Sequence, residues 1–112
     1  MPTETITPTA AAEKLGEIIG VDRLDTDKIL FTFVNEVDQE VDVKVYGSNY
    51  NDSTMDEKVL LTTIVMADGS VTPTTAGYQD DNNYHYYRVG VTPAALPTGD
   101  FTNTWDVEEK LI

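Results

Sequence analysis

The sequence has no cysteine and a single histidine among its 112 residues. Without cysteine it can form no disulfide, no thiolate metal site and no cysteine nucleophile, and its redox compartment stays undetermined. The histidine, His85, lies in the strand-like stretch YHYYRV. We expect it to be a hydrogen-bonded packing residue at the margin of the core, in preference to the base of a hydrolytic triad. The sequence therefore predicts no catalytic residue and no enzyme.

Two further patterns are missing. The longest apolar runs fall far short of the ~20 residues that a membrane helix needs, and no basic region precedes an apolar one at the N-terminus. No phosphate-binding glycine loop is present, because the glycines of the strand-rich region are isolated from one another: Gly47, Gly69, Gly77, Gly90 and Gly99. We therefore expect no membrane span, no secretion signal and no bound cofactor.

Positive charge is scarce. Seven Lys and Arg face twenty Asp and Glu, a formal net charge of −13, so nucleic acid and anionic lipid are the least expected partners. The acidic residues run from Glu4 to Glu109 instead of forming a tail, which is typical of a solvated acidic coat. Because the screening length contracts to about 3 Å in molar salt, the composition favours adaptation to a salt-rich environment. An ordinary acidic mesophilic protein is the alternative.

Apolar and polar residues alternate along most of the chain. The stretch DKILFTFVNEV predicts a central strand covered on both faces or nearly so, and QEVDVKVYG predicts a strand with Val41, Val43 and Val45 facing inward. NYHYYRVGVT and DFTNTWDVEEKL show the same alternation. The residues predicted to form the core are Phe31, Val43, Val45, Ile64, Val89 and Val91.

The stretch KVLLTTIVMADGSVTPTT predicts a hairpin that turns at Asp68-Gly69, a pair favoured in tight turns between antiparallel strands. Pro73 then places the second arm at a sheet edge. Short strands separated by turn residues, with no helices between them, indicate an all-β fold. Residues 26–112 are predicted to form about six strands in a single antiparallel β-sandwich or jelly-roll-like domain.

Residues 1–25 are predicted to form a short arm and one helix. Apolar residues recur at helical spacing between a capping threonine and a terminating glycine: Thr9, Ala11, Leu15, Ile18, Ile19 and Gly20. The preceding stretch PTETITPT has two prolines and no periodic apolar face. It is interpreted as a frayed terminus or as an arm that orders only against a neighbour.

The most suggestive binding surface is one face of the strand YHYYRV, where Tyr84, Tyr86 and Arg88 are predicted to point outward. Tyrosine and arginine are enriched where protein surfaces meet, and ordinary cross-strand packing is the alternative. Tyr50, in the polar tip GSNYNDS, is a further candidate for partner binding. The tip is sufficiently explained as a connection, and its alternative is an interaction loop on a rigid scaffold.

Two polar stretches contain residue patterns that are also found at metal-binding or glycosylation sites. Residues 79–83 are rich in oxygen ligands, as Ca²⁺ loops are, but they lack the spaced carboxylates of a helix-loop-helix calcium site, so we predict a solvated turn and no metal. Asn51 begins an N-glycosylation triplet, a pattern that also arises by chance.

From Asp25 to Thr92 the sequence resembles small β-sandwich structural proteins of tailed viruses, including head decoration and minor capsid proteins. The resemblance rests on the strand VDVKVYGSN, the polar tip after it, the stretch VLLTTIVMADG and the aromatic strand YYRVGVT. A similar pattern of strand, tip and strand occurs in carbohydrate-binding jelly-roll modules. Many of those modules carry tryptophan in the tip, where this chain has only Tyr50.

Together with the charge, this resemblance implies a non-enzymatic virion protein of a tailed virus that infects a salt-loving archaeon. Its expected partners are the major capsid protein or other virion proteins, and further copies of itself as a homo-oligomer or on a lattice. The alternative is a small carbohydrate-binding or cell-surface adhesion module.

Overall fold

The computed structural model describes residues 2–21, 26–49, 57–81 and 84–109, which form two antiparallel sheets packed together. The first sheet has the strand order β1-β9-β4-β7, and the second has the order β2-β8-β5-β6, with β3 also paired to β8. This confirms the predicted all-β sandwich. The strands are β1 (Thr3–Ile6), β2 (Lys14–Leu15), β3 (Ile19–Gly20), β4 (Thr26–Asn35), β5 (Val41–Ser48), β6 (Val59–Met66), β7 (Thr74–Asp80), β8 (Tyr86–Pro93) and β9 (Phe101–Glu109).

Five of the six longer strands (β4, β5, β6, β8 and β9) coincide with strands predicted from the sequence, whereas β7 overlaps the predicted second arm only at Thr74 and Thr75. β4 is central, as predicted, between β9 and β7. In β5 the residues Val41, Val43 and Val45 are buried and the residues between them are only half-buried. The second face of β4 is only partly covered, since Leu30 and Val34 are half-buried and Thr32 is exposed, because a two-layer sandwich leaves the outer face of each sheet towards water.

The core lies between the sheets and joins aromatic residues to valines. The ring of Phe31, in the first sheet, lies 5.9 Å from that of Tyr87, in the second, in an edge-to-face arrangement, a geometry favoured by the aromatic quadrupole. The buried apolar residues come from both sheets and from the Val37 loop: Ile6, Ile19, Ile29, Phe31, Phe33, Val37, Val41, Val43, Val45, Met66, Tyr87, Val89, Val91 and Phe101. Five of the six predicted core residues are fully buried, and the sixth, Ile64, is partly buried.

The predicted hairpin at Asp68-Gly69 is wrong. β6 pairs with β5 and β7 pairs with β4, so the connection crosses from one sheet to the other. The turn chemistry is present, since the Asp68 carboxylate accepts hydrogen bonds from the backbone N and the hydroxyl of Ser70. Gly69, however, donates its N–H to Val37 O at 3.0 Å, which holds the turn against the β4–β5 connection. Pro73 does precede an edge strand, as predicted.

The predicted N-terminal helix and arm are also wrong. β1 pairs with β9, and β2 and β3 pair with β8, so the segment completes the edges of both sheets. Among the residues of the expected apolar helix face, only Ile19 is buried. The strand pairing satisfies backbone groups that a terminal helix would leave open at the sheet edges.

Candidate functional site

Tyr84 does not share the outward face predicted for it. Its ring lies edge-on to that of Tyr87 at 6.1 Å, and a Cβ added to Gly47 would come within 2.7 Å of it. Tyr84 therefore packs against the core side of the sandwich. The strand alternation fails here because β8 begins only at Tyr86.

Tyr86 and Arg88 alternate with the core residues of β8, as predicted, but both are half-buried. Arg88 donates its Nε–H to Gly16 O at 2.7 Å. The Tyr86 ring lies beside Gly20, about 3.8 Å from the point where a Cβ would stand if that residue had one. Both side chains therefore hold the N-terminal segment against β8. Tyr50 and Asn51 lie outside the described residues.

His85 makes its hydrogen bonds through the backbone. Its N–H donates to Asn49 Oδ1 at 3.2 Å, and its carbonyl accepts from Val21 N at 2.9 Å. The half-buried ring packs beside that of Tyr86. These contacts agree with a packing residue at the margin of the core.

The Asp80 carboxylate is buried and binds tyrosines. One oxygen accepts a hydrogen bond from the Tyr87 hydroxyl and the other accepts from the Tyr78 hydroxyl at 3.1 Å. Burial, and then the charge of Asp80, raise the pKa of Tyr78 to about 12; burial, and then the hydrogen bond to Asp80, raise the pKa of Tyr87 further. Asp80, the first of the two carboxylates in residues 79–83, thus links the two sheets.

An open groove of about 560 Å³ separates β1 from the segment around Lys14 and Glu17. Glu4 occupies its floor, where its carboxylate accepts hydrogen bonds from Glu17 N at 2.7 Å and from Asn103 Nδ2 at 3.1 Å. A side chain at Gly16 would collide with this carboxylate. Asn103 Oδ1 is buried and without a partner among the described residues, but Asn103 does not line the groove. The Glu4 carboxylate therefore links β1 and β9 of the first sheet to the segment between β2 and β3 of the second.

Three connections follow the last residues of β4, β6 and β8 and meet at one end of the sandwich: residues 36–40, 67–73 and 94–100. We call this surface the loop end. Fully buried Asn35 joins the first two connections, because its Nδ2 donates to Ala67 O at 2.9 Å and its Oδ1 accepts from Val37 N at 3.2 Å.

The third connection is tied to the first by a reciprocal pair of hydrogen bonds. Asp38 N donates to Thr98 O at 2.9 Å, and Thr98 N donates to Asp38 Oδ1 at 2.8 Å. Gly99 has a φ of 110°, and a Cβ there would lie 2.5 Å from Glu36 O, so no other residue suits this position. The loop end is therefore stiff although it contains no regular strand.

Two large aliphatic side chains project from this stiff surface. Val71 is 95% exposed and Leu96 is 75% exposed, although Pro97, beside Leu96, is buried. The three connections contain no Lys or Arg but five acidic residues: Glu36, Asp38, Glu40, Asp68 and Asp100. Hydrogen bonds from Ser70 hold the pKa of Asp68 below its usual range. The loop end thus presents apolar side chains within a negative field.

Sequence reasoning missed the loop end because Val71 and Leu96 are isolated apolar residues in turn-rich stretches. The one available signal was Asn35, a polar residue at a buried position of the β4 alternation. Such a residue indicates an amide that holds backbone groups, but not which loops it joins.

No model of a known protein family matches this chain, and no curated protein matches its sequence. Within residues 2–21, 26–49, 57–81 and 84–109, no three His, Asp or Glu side chains are grouped to hold a metal ion. The same residues contain no helix long and apolar enough to cross a membrane. The function must be argued from the residues themselves.

Proposed function

We propose that the protein is a non-enzymatic binding module that attaches to a larger protein assembly through its loop end. The observation that carries this proposal is the exposure of Val71 and Leu96 on connections that are pinned by hydrogen bonds. Binding residues are commonly presented on loops that a rigid scaffold positions. A stiff loop also loses little conformational entropy when it binds, so more of the buried apolar area contributes to affinity.

The charge of the loop end indicates the chemistry of the partner. The three connections that carry the two aliphatic side chains contain five carboxylates and no Lys or Arg, so the complementary surface has apolar depressions rimmed by Lys or Arg. Complementary charge of this kind speeds association and excludes wrong partners more than it adds affinity.

The assembly we propose is the shell of a tailed virus adapted to high salt, with this protein as a decoration or minor capsid protein. The resemblance of residues 25–92 to such proteins supports this choice, and so does the charge of −13. The bound protein would turn its acidic faces to the solvent, where molar salt screens repulsion between neighbouring copies.

The test is co-sedimentation of the purified protein with shells assembled without it, in about 2 M KCl, where the screening length is only a few Å. The double variant Val71→Ser with Leu96→Ser should bind about tenfold or more weakly, because it removes both apolar anchors. The control is Thr32→Ser with Thr75→Ser, which removes two exposed methyl groups from β4 and β7 of the first sheet. All four positions are exposed, so the melting temperatures should stay close to that of the wild type.

Undiminished binding by the loop-end variant would refute the loop end as the docking surface. Failure of the wild type to bind shells, together with binding of the isolated protein to a glycan array, would replace this proposal with the carbohydrate-binding alternative.

A further inference from the structure

β6 is an exposed edge strand with no ionisable side chain. In the described part of the chain it pairs with β5 on one side only. Each of the other five long strands contains at least one Asp, Glu, Lys or Arg, whereas β6 reads VLLTTIVM. Its exposed apolar residues are Val59 (51%), Leu60 (50%) and Val65 (61%).

Natural proteins usually protect such an edge with a charge, a proline or a bulge, because its free N–H and C=O groups can pair with another strand. β6 has a bulge between Leu60 and Thr62, where the register against β5 shifts. The bulge interrupts the first part of the strand and leaves Thr62–Met66 regular. This regular part has no protecting residue within it.

The surroundings of this edge carry less negative charge than the rest of the molecule. On the outer face Thr63 lies opposite Lys44 and Val65 lies opposite Asp42, while Lys58 lies over the Tyr46 ring with its Nζ 5.1 Å from the ring centre. Two of the seven basic residues, Lys44 and Lys58, therefore lie beside β6 together with two acidic residues, Asp42 and Glu57. A second molecule meets less repulsion here than on a surface of average charge.

We infer that two copies of this chain associate by antiparallel pairing of their β6 edges, so that the second sheet continues from one molecule into the other. The second copy is the fitting occupant because any antiparallel register of this strand against itself places only apolar and threonine side chains opposite each other. Directly opposite residues of an antiparallel pair share a face, so a two-fold axis at Thr63, which pairs Thr63 with Thr63 of the second copy, keeps both cores on the same side. This dimer uses a surface separate from the loop end and does not depend on it.

The dimer should be strengthened by salt. Each copy carries a net charge of −13, whose repulsion reaches about 10 Å in 0.1 M salt and about 3 Å in molar salt. A single edge pairing is also a small interface, so dimer formation should depend on protein concentration.

The first test is sedimentation equilibrium of the full chain in about 0.1 M and about 2 M KCl. We expect the mass to rise from 12.4 kDa towards twice that value as protein and salt concentrations increase. Val65→Lys places a charged side chain in the paired edge, the device by which natural edge strands resist pairing, and should weaken the dimer about tenfold or more. Val71→Lys adds the same charge at another exposed valine and should dimerise as the wild type does. A monomer under all conditions, or equal dimerisation of the two lysine variants, would overturn the proposal.

The second test uses the absence of native cysteine. Thr63→Cys, exposed on the outer face near the proposed axis, should form an intermolecular disulfide under mild oxidation in about 2 M KCl. Leu96→Cys, at the loop end, should cross-link much more slowly at the same protein concentration. Equal cross-linking of both variants would refute the β6 pairing and would leave the loop-end proposal unaffected.

Discussion

Replacing Asn35 by alanine should loosen the loop end and destabilise the whole sandwich. The wild-type amide is fully buried and makes two well-placed hydrogen bonds, to Ala67 O and from Val37 N, and a longer one to Gln39 O at 3.4 Å. Ala67 O also accepts from Thr74 Oγ1 at 3.0 Å, so it keeps a partner in the variant. The buried N–H of Val37 loses Asn35 Oδ1, its acceptor in the wild type, and becomes the costly group.

The expected loss follows from these contacts. A buried donor left without a partner costs about 1–3 kcal/mol, and each further hydrogen bond contributes about 1 kcal/mol. Asn35→Ala should therefore lower the free energy of unfolding by about 2–4 kcal/mol. Thr32→Val, on the exposed face of the same strand, is the control and should change it by less than about 0.5 kcal/mol.

The assay combines urea unfolding with hydrogen exchange. Urea gives the change in the free energy of unfolding, and exchange of the Gly69 amide, which donates to Val37 O, reports on the loop itself. We expect Gly69 to lose protection beyond what the global destabilisation explains. The reasoning is refuted if Asn35→Ala is no more destabilising than the control, or if Gly69 stays as protected as in the wild type.

Three other predictions test the core, the charge and the tyrosines. Val43→Asp should cost several kcal/mol because it buries an unpaired carboxylate at a fully buried position; a urea midpoint equal to that of the wild type would contradict the core assignment. The melting temperature should be lower in ~0.1 M than in ~2 M KCl, and a flat profile would argue against adaptation to salt. Burial, with a carboxylate neighbour second, raises the pKa of Tyr46 and Tyr78 to about 12, so the folded state holds these protons more tightly than the unfolded chain. Stability is thus unaffected below about pH 10, where unfolded tyrosine begins to ionise, and falls as the pH rises from there towards 12; an unchanged urea midpoint from pH 9 to 12 would contradict this.

Local patterns were sufficient to predict the class of the fold and five of its six long strands. The alternation that buries Val41, Val43 and Val45 is a property of neighbouring residues, because side chains of a strand point to opposite faces in turn. The central position of β4 follows in the same way from its content of Ile29, Phe31 and Phe33. β7 lies at a sheet edge, as Pro73 indicated, although Pro73 itself precedes the strand and takes no part in its ladder.

The partner residues were less predictable, because their surroundings come from distant parts of the chain. Arg88 has outward parity on β8, but Gly16, whose carbonyl it binds, lies 72 positions earlier. Tyr84 lies before the strand begins, so the strand period does not apply to it. The loop end is assembled from three connections, and the sequence gives no indication that they meet.

What the sequence by itself determined is the alternation, the turn residues and the charge of −13, each of which depends on residue type and local spacing. The tertiary structure alone decided that β1 and β9 pair across some hundred residues, that Asp68-Gly69 carries the chain from one sheet to the other, and that β6 pairs on one side only among the described residues. The physical reason is that backbone hydrogen bonds between strands are the same for every sequence. Which edge pairs with which is therefore set by the packing of the whole core.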